Sequence, residues 1–502
     1  MKTEQTSVLD RPEEALSLDQ FLASMKMGPV QEGALEPVIS DNFSKINEKV
    51  SPQARFVSSL AALIGNIEQG EGFFDRGKIQ ELIARTNKMV NDQVNEIIHH
   101  PKFQKLESTW RGLFNLLEKT NFRANIMIDI LDVSKEELEK DFFDNSIDFT
   151  GSAFFKKVYV AEYDQYGGKP YGAIIGLYEF QHTPADLKWL RMMGKVANAS
   201  HAPFISSVSP QFFGCETIEE LAGIKDLEGL MNHPSYSAFN ALRESEEAAY
   251  IGLCLPAYVA RLPWHPVKNP SGNFNFVEYT WGDDHKKYLW GNPAILFAQN
   301  LARSFETSGW CQYLRGPKGG GLVTGLPVHT FNLRGEEEIK LPVEMAIPDS
   351  RELDFANSGF IPLIYRKGTG EACFFSAQSL KRPKKLRDPK DAENAQMVCN
   401  LPYTFSITRM AHYVKCIARD NIGSSANAEY MQDMLNRWIS EYVTKTVNPD
   451  ILTLRRYPFK TASVTVKEKP GKIGWYDCSI SVLPHLQMEG LDVVLTCESR
   501  LG

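Results

Sequence analysis

The apolar residues of this 502-residue chain change their period along its length, and that change limits what the chain can fold into. From Pro52 to Thr120 they recur at three- and four-residue steps, as helices require. Phe56, Val57, Leu60, Ala61, Ile64 and Ile67 make one stripe. Ile79, Leu82, Ile83, Val90, Val94, Ile97 and Ile98 make a second. Beyond Pro101, the residues Phe103, Leu106, Trp110, Leu113 and Leu117 make a third, with Trp110 expected as a core anchor. Strand-like runs then enter at 125–131, 156–162 and 171–176, with Gly167 and Gly168 at the turn between the last two. Residues 184–199 return to helical spacing and 201–208 to a strand. Helices and strands alternate, so the expected class is α/β, of the mixed α+β kind.

The C-terminal part is patterned most clearly. Residues 401–423 predict a helix whose apolar side carries Ile407, Met410, Ala411, Val414, Ile417 and Ala418. A second helix follows, with Met431, Met434, Leu435, Trp438, Ile439 and Tyr442 on one side. Three strands come next. Ala462, Val464 and Val466 alternate with polar residues, as do Tyr476, Cys478, Ile480 and Val482, with a turn signal at 468–474 between them. The third strand carries Leu491, Val493, Leu495 and Cys497 on one face. A strand so near the end of a chain is readily lent to a neighbour's sheet edge, which makes these four the inter-subunit strand candidates. The expected division is an N-terminal arm over 1–50, flexible or partner-docked, then a helical region over 51–120. A mixed α/β region over 121–380, a basic connector over 381–390 and a C-terminal domain over 391–502 complete it. The connector is expected to be exposed, because 380–390 holds six basic residues, one acid and two prolines.

Composition excludes several function classes. A net charge of −7 argues against a general nucleic-acid binder. The apolar share of 43% is normal for a globular protein, and no apolar run is long enough for a transmembrane helix. Eight scattered cysteines form no C-x-x-C pair, which removes support for zinc or redox sites and suggests reduced thiols in the cytoplasm. The polar N-terminus lacks the apolar core of a secretory signal.

No catalytic motif stands out. The run RGPKGGGLVTG at 315–325 invites a phosphate-loop reading, but Lys318 precedes the glycines instead of following them, and no Ser or Thr comes next. A flexible turn where backbone passes close to another element is expected at 316–325, with an enzyme using that loop as the distant alternative. His265, Asp283, Asp284 and His285 match no metal-ligand spacing, so no metal and no cofactor are expected. The remaining chemistry is a row of positive charge. Arg409, His412, Lys415 and Arg419 recur on the side of the 401–423 helix opposite its apolar stripe. Such a row is commonly a solvated face, and it can also meet an acidic partner.

Several strings together carry a resemblance. HPKFQKLESTWRGLFNLL (100–117), YLWGNPAILFAQNLARSFETSGWCQYLRGPKGGGLVTGLPVH (288–329), ELDFANSGFIPL (352–363), LPYTFSITRMAHYVKCIARDNIG (401–423) and LNRWISEYV (435–443) resemble the large sheath subunit of the bacterial type VI secretion system. The resemblance runs from about Phe56 to the end. It implies a structural, non-enzymatic subunit that pairs with a small sheath subunit and assembles helically with copies of itself around an inner tube of hexameric rings. It implies a C-terminal domain like that of contractile phage-tail sheaths, with strands exchanged between neighbours. It also implies a baseplate, contraction that propels the tube, and disassembly by an AAA+ unfoldase acting mainly through the small subunit. On this resemblance Arg409, His412, Lys415 and Arg419 become tube-facing candidates, with the basic segment 381–390 as a rival. A phage-type sheath that assembles without a small partner is the alternative.

Overall fold

The computed structural model describes residues 76–272, 275–280, 285–333, 335–384, 387–424, 427–472, 475–485 and 487. The inter-subunit strand candidates Leu491, Val493, Leu495 and Cys497 lie outside these, as does the stripe from Phe56 to Ile67. The chain divides into two compact units, 1–94 and 95–502. Of the first, residues 76–94 are described, and they form most of helix α1, Arg76–Ile98.

At the centre of the second unit is a six-stranded sheet. Its strands are β1 (Ile174–Phe180), β2 (Phe204–Val208), β3 (Ile251–Leu255), β6 (Leu322–Val323), β9 (Phe360–Tyr365) and β10 (Ala372–Phe374), in the order β1-β2-β3-β9-β10-β6. In that order β1, β2, β3 and β9 run parallel; β10 is antiparallel to β9, and the edge strand β6 is antiparallel to β10. Parallel strands need both faces covered, which explains why β2 and β3 are buried throughout. The period of two divides their side chains. Phe204 and Val208 of β2 enter one core and Ile205 enters the other; Phe360 and Ile364 of β9 divide from Ile361 and Leu363 in the same way.

One face is covered by α4 (Pro184–Ser200), which brings Trp189, Leu190, Met193 and Val196 against Phe204, Phe212 and Phe360. The other is covered by α5 (Ala294–Ser308) and by the first turns of α8 (Leu401–Asp420). Gly252 on β3 makes that second contact possible. A Cβ there would sit 2.7 Å from Leu401 Cδ1 and 2.8 Å from Ile205 Cδ1, so the missing side chain is the space that Leu401 fills. Two small antiparallel sheets complete the body: the pair β4 (Tyr258–Val259) with β5 (Trp290–Gly291), and the hairpin of β7 (His329–Leu333) with β8 (Glu336–Lys340).

Helix α2, Pro101–Lys119, begins at a cap that the sequence disguises. His100 accepts from Lys102 N through Nδ1, and Pro101 occupies the first turn, where its missing N–H costs nothing. Gly112 and Leu116 press the inner side of α2 onto Ile295. Glu107 on the same helix meets Arg261 at 2.7 Å, and Arg261 meets Glu278 at 2.5 Å. Burial acts to raise the Glu278 carboxyl, but hydrogen bonds from His99 and Arg261 hold it below its ordinary value. This ionic group ties Arg261 and Glu278 to α2 through Glu107. Asn95 reinforces it by donating to Val277 O and accepting from Tyr279 N.

Three expectations are corrected here. Residues 156–162, which alternate like a strand, form a π-helix, Lys156–Tyr163. Phe155, Tyr159 and Tyr163 stack along it at 4.8 and 5.2 Å, and this aromatic ladder outweighs the alternation of Val158 and Val160. Residues 125–131 form no strand: Asn125 is left-handed, and 126–131 pair with no strand among the described residues. Trp110 is not a core anchor: its helix turns Gly112 and Leu116 inward and leaves Trp110 62% exposed.

The C-terminal part packs helix α9 (Ala428–Ser440) on a hairpin of β11 (Phe459–Glu468) and β12 (Tyr476–Pro484). Met431, Leu435 and Ile439 meet Phe459, Val464 and Val466, with Trp310 joining from the body and Met410 and Val414 from α8. Helix α7, Pro389–Val398, leads into this part. The connector before it is not wholly exposed. Leu380 N donates to Ile251 O at the start of β3, and Lys381 is buried against Glu246.

Candidate functional site

The basic row lies on α8. Its N-terminal turns are enclosed on every side, since Leu401, Tyr403, Phe405, Ser406 and Thr408 are all buried. The helix therefore is not divided into one packed face and one wet face. Ile407, expected in the packed stripe, is exposed, and His412, expected on the outer face, is buried.

Each cation of the row has a partner inside the chain. His412 Nε2 lies 3.0 Å from Ser200 O, the last carbonyl of α4. Burial pushes its pKa down to about 4, so the ring is neutral and donates to that carbonyl. Lys415 meets Asp164 at 2.7 Å and sits 3.7 Å above the Tyr163 ring. Arg419 donates to Gln165 O at 2.6 Å and to Tyr163 O at 2.9 Å. Arg409 lies over the Phe305 ring at 4.5 Å and donates to Tyr413 Oη at 2.5 Å. The row thus supplies donors and charge to the carbonyl ends of two other helices, α4 and the π-helix, where positive charge is favoured. It fastens three helices together.

The glycine run at 316–325 is a packing device. Gly316 N donates to Phe374 O and Phe374 N donates to Gly321 O, so the loop zips onto β10. At Gly321 a Cβ would lie 2.3 Å from Phe374 O, and at Gly320, where φ is +96°, it would lie 2.1 Å from Tyr313 O. These amides are spent on backbone and form no phosphate cradle. His265 caps its own turn at Val267 N and Lys268 N, and His285 pairs with Glu344 at 2.8 Å while stacking on Trp290. Among the described residues no group of three or more acidic, His or Cys side chains is placed to hold a metal. No described helix is long and apolar enough to cross a membrane.

Two surfaces whose exposure periodicity alone does not reveal are more informative. The first is the outer side of α2. Phe103, Leu106, Trp110 and Phe114 stand 38, 55, 62 and 68% exposed along one stripe, while the opposite side of the helix is bound to α5. The second is the edge of the C-terminal hairpin. Asn436 on α9 donates to Val464 O at 2.8 Å and accepts from Val464 N at 2.7 Å, and Gln432 accepts from Val466 N at 3.0 Å. These amides imitate a paired strand and close the outer edge of β11. Tyr442 and Thr444 close it further down, at Phe459. Among the described residues no strand pairs with the outer side of β12. The signal for this guard was the i, i+4 spacing of two amides facing a strand, which a sequence shows only once the strand's position is known.

The chain matches two family models, the EvpB/VC_A0108 tail sheath N-terminal domain over residues 80–381 and the EvpB/VC_A0108 tail sheath gpW/gp25-like domain over residues 390–501. It is 42% identical over 426 residues to the type VI secretion system sheath protein TssC1 of Pseudomonas aeruginosa, covering 84% of this chain and 86% of that one. Remote structural likenesses also exist. A chain of the anti-feeding prophage baseplate is 10% identical, with a TM-score of 0.37 over 75% of this chain and 84% of that one. A chain of the contracted sheath complex of the PVC extracellular contractile injection system is 10% identical, with a TM-score of 0.33 over 61% and 68%. Likeness of that size does not define a fold match. The two family models and the Pseudomonas relative together place this chain in the VipB/EvpB family of structural sheath proteins, as a contractile sheath subunit of a type VI secretion system and not an enzyme.

Proposed function

We propose that this chain is the large subunit of a two-component sheath. It pairs with a small sheath subunit, and the pairs stack helically on a baseplate around an inner tube and contract to propel it. The observation that carries the two-component reading is the uncovered apolar stripe Phe103, Leu106, Trp110 and Phe114 on α2. Such a contiguous patch on a soluble surface marks a contact, and its helical spacing suits a second amphipathic helix. The seven cysteines among the described residues are free thiols, as a reducing cytoplasm leaves them. A contact to the tube through Arg409, His412, Lys415 and Arg419 would draw on groups already committed within the chain. We therefore place the electrostatic tube contact on the exposed part of the 381–390 segment, at Lys384 and Arg387, and assign the row to holding α8.

Co-expression with the small subunit tests the reading. The double variant W110E/F114E is expected to leave the thermal midpoint of the isolated chain nearly unchanged, because both side chains are exposed. It is expected to lose co-purification of the small subunit by tenfold or more. Full retention of the partner, or tubules formed by the pure chain alone, would overturn it.

A further inference from the structure

Among the described residues, Arg303 and Arg455 of the second unit pair with no carboxylate. Arg303 on α5 donates through Nη2 to Asn300 Oδ1 at 2.6 Å, to Gly320 O at 2.9 Å and to Leu322 O. Arg455 lies on the short helix α10, Ile451–Arg456. It donates to Lys318 O at 2.7 Å and stacks 4.9 Å from the Tyr313 ring. The two guanidinium groups converge on a cleft of about 70 Å³ beside the glycine loop. The hydroxyls of the cleft are occupied: Ser304 and Ser308 donate to Trp310 O, and Thr307 donates to Arg303 O. What the cleft has left to offer is guanidinium N–H, and Arg455 Nε is buried there without an acceptor. Burial and the neighbouring charge of Arg455 both press the Arg303 pKa down. Two adjacent cations that lack a counter-charge are stabilised by an oxyanion, which guanidinium binds in a planar, two-bond geometry.

The matching charge stands elsewhere on the same chain. Glu336, Glu337 and Glu338 begin β8 at the tip of the β7–β8 hairpin; all three are exposed, and none is ion-paired to another described residue. The base of the hairpin is fixed, with Tyr288 Oη 2.8 Å from His329 Nδ1 and Lys268 Nζ on Thr330 O. At about 3.3 Å per strand residue, a ribbon of this length projects its tip well clear of its base.

We propose that the Arg303–Arg455 cleft is a carboxylate subsite joining copies of this chain, filled in the assembled sheath by the Glu336–Glu338 hairpin tip of a second copy. The contact is heterologous, since one patch meets a different patch, and repetition of such a contact produces an open helical strand. It is ionic and loosens as salt rises. The inference rests on the sheath reading, and its test separates the two.

Sheaths are counted by negative-stain microscopy in cells that express the full chain with the rest of its apparatus. The triple reversal E336K/E337K/E338K lies on an exposed tip, and at least a tenfold loss of sheaths is expected from it. R303E/R455E is expected to lose as much, and the two sets combined are expected to restore sheaths to within twofold of the unaltered chain. Because Arg303 and Arg455 also hold the glycine loop, a second measurement avoids their folding role: T307C/E337C is expected to give disulfide-linked dimers between copies. Normal sheath numbers with E336K/E337K/E338K, no rescue by the combined reversal, or no T307C/E337C cross-link would overturn the subsite. Absence of sheaths from the unaltered chain would instead overturn the sheath reading.

Discussion

His412 shows how far a residue's spacing can mislead about its duty. It falls in a row of cations, and its position in that row was readable from the sequence. Its partner, Ser200 O, lies 212 positions away and was not. The ring is neutral because burial holds its pKa near 4, against an ordinary 6.5. Between those values the unfolded chain binds a proton that the folded chain refuses. The stability contributed by neutral His412 is therefore full above pH 6.5 and is lost as pH falls towards 4, by about 1.4 kcal/mol for each unit of separation. His412→Gln keeps an N–H for Ser200 O and cannot titrate. Its melting temperature is expected to fall less steeply than that of the unaltered chain between pH 6.5 and 4, measured by circular dichroism. Trp110 gives the converse case. It was legible as one of a helical stripe, but α2 has apolar residues on two sides, and only Gly112 revealed which side could approach α5 closely.

At the scale of elements, periodicity located several long helices and missed others, Ala294–Ser308 among them. The spans expected at 184–199 and 401–423 became Pro184–Ser200 and Leu401–Asp420. Periodicity could not say what surrounds them. Helix α8 is wrapped by the sheet, by α9 and by the ends of two other helices, so both of its faces pack. The same gap bears on the π-helix at Lys156–Tyr163, whose local alternation favours a strand while Tyr163 at its end packs on the distant rings of His201 and His412. If the basic row fastens α8, then reversing it unfolds before it disassembles. K415E/R419E is expected to lower the stability of the isolated chain by about 1–3 kcal/mol, combining a partly exposed ion pair with two charged hydrogen bonds at a helix end. K384E/R387E, on exposed positions, is expected to leave it unchanged. Thermal melts of both variants side by side decide between a fastening and a purely tube-facing role for the row.

For the whole molecule, the alternation of periods was enough for the α/β class but not for the strand order. β3 pairs with β9 across about a hundred residues, and nothing local marks that choice. Function was legible through a different channel, the long strings that match the sheath family. Truncation before Leu491 is expected to preserve co-purification with the small subunit while preventing extended sheaths, as scored by negative-stain microscopy. Normal sheaths from that truncation would reject exchange of the terminal strand. The amides of Asn436 and Gln432 give this exchange an arithmetic. With β11 guarded at Phe459, Val464 and Val466, the exchange proposal leaves a neighbour's strand the β12 side of the hairpin, an acceptor valence of one per chain. A lattice built from such units needs one donated strand per chain, and donors and acceptors stay matched however long the sheath grows. A hairpin open on both sides would set no such limit, and strands could pile up sideways into fibres. If terminal strands are exchanged in the sheath, two side chains on α9 would set the stoichiometry of that exchange before any neighbour arrives.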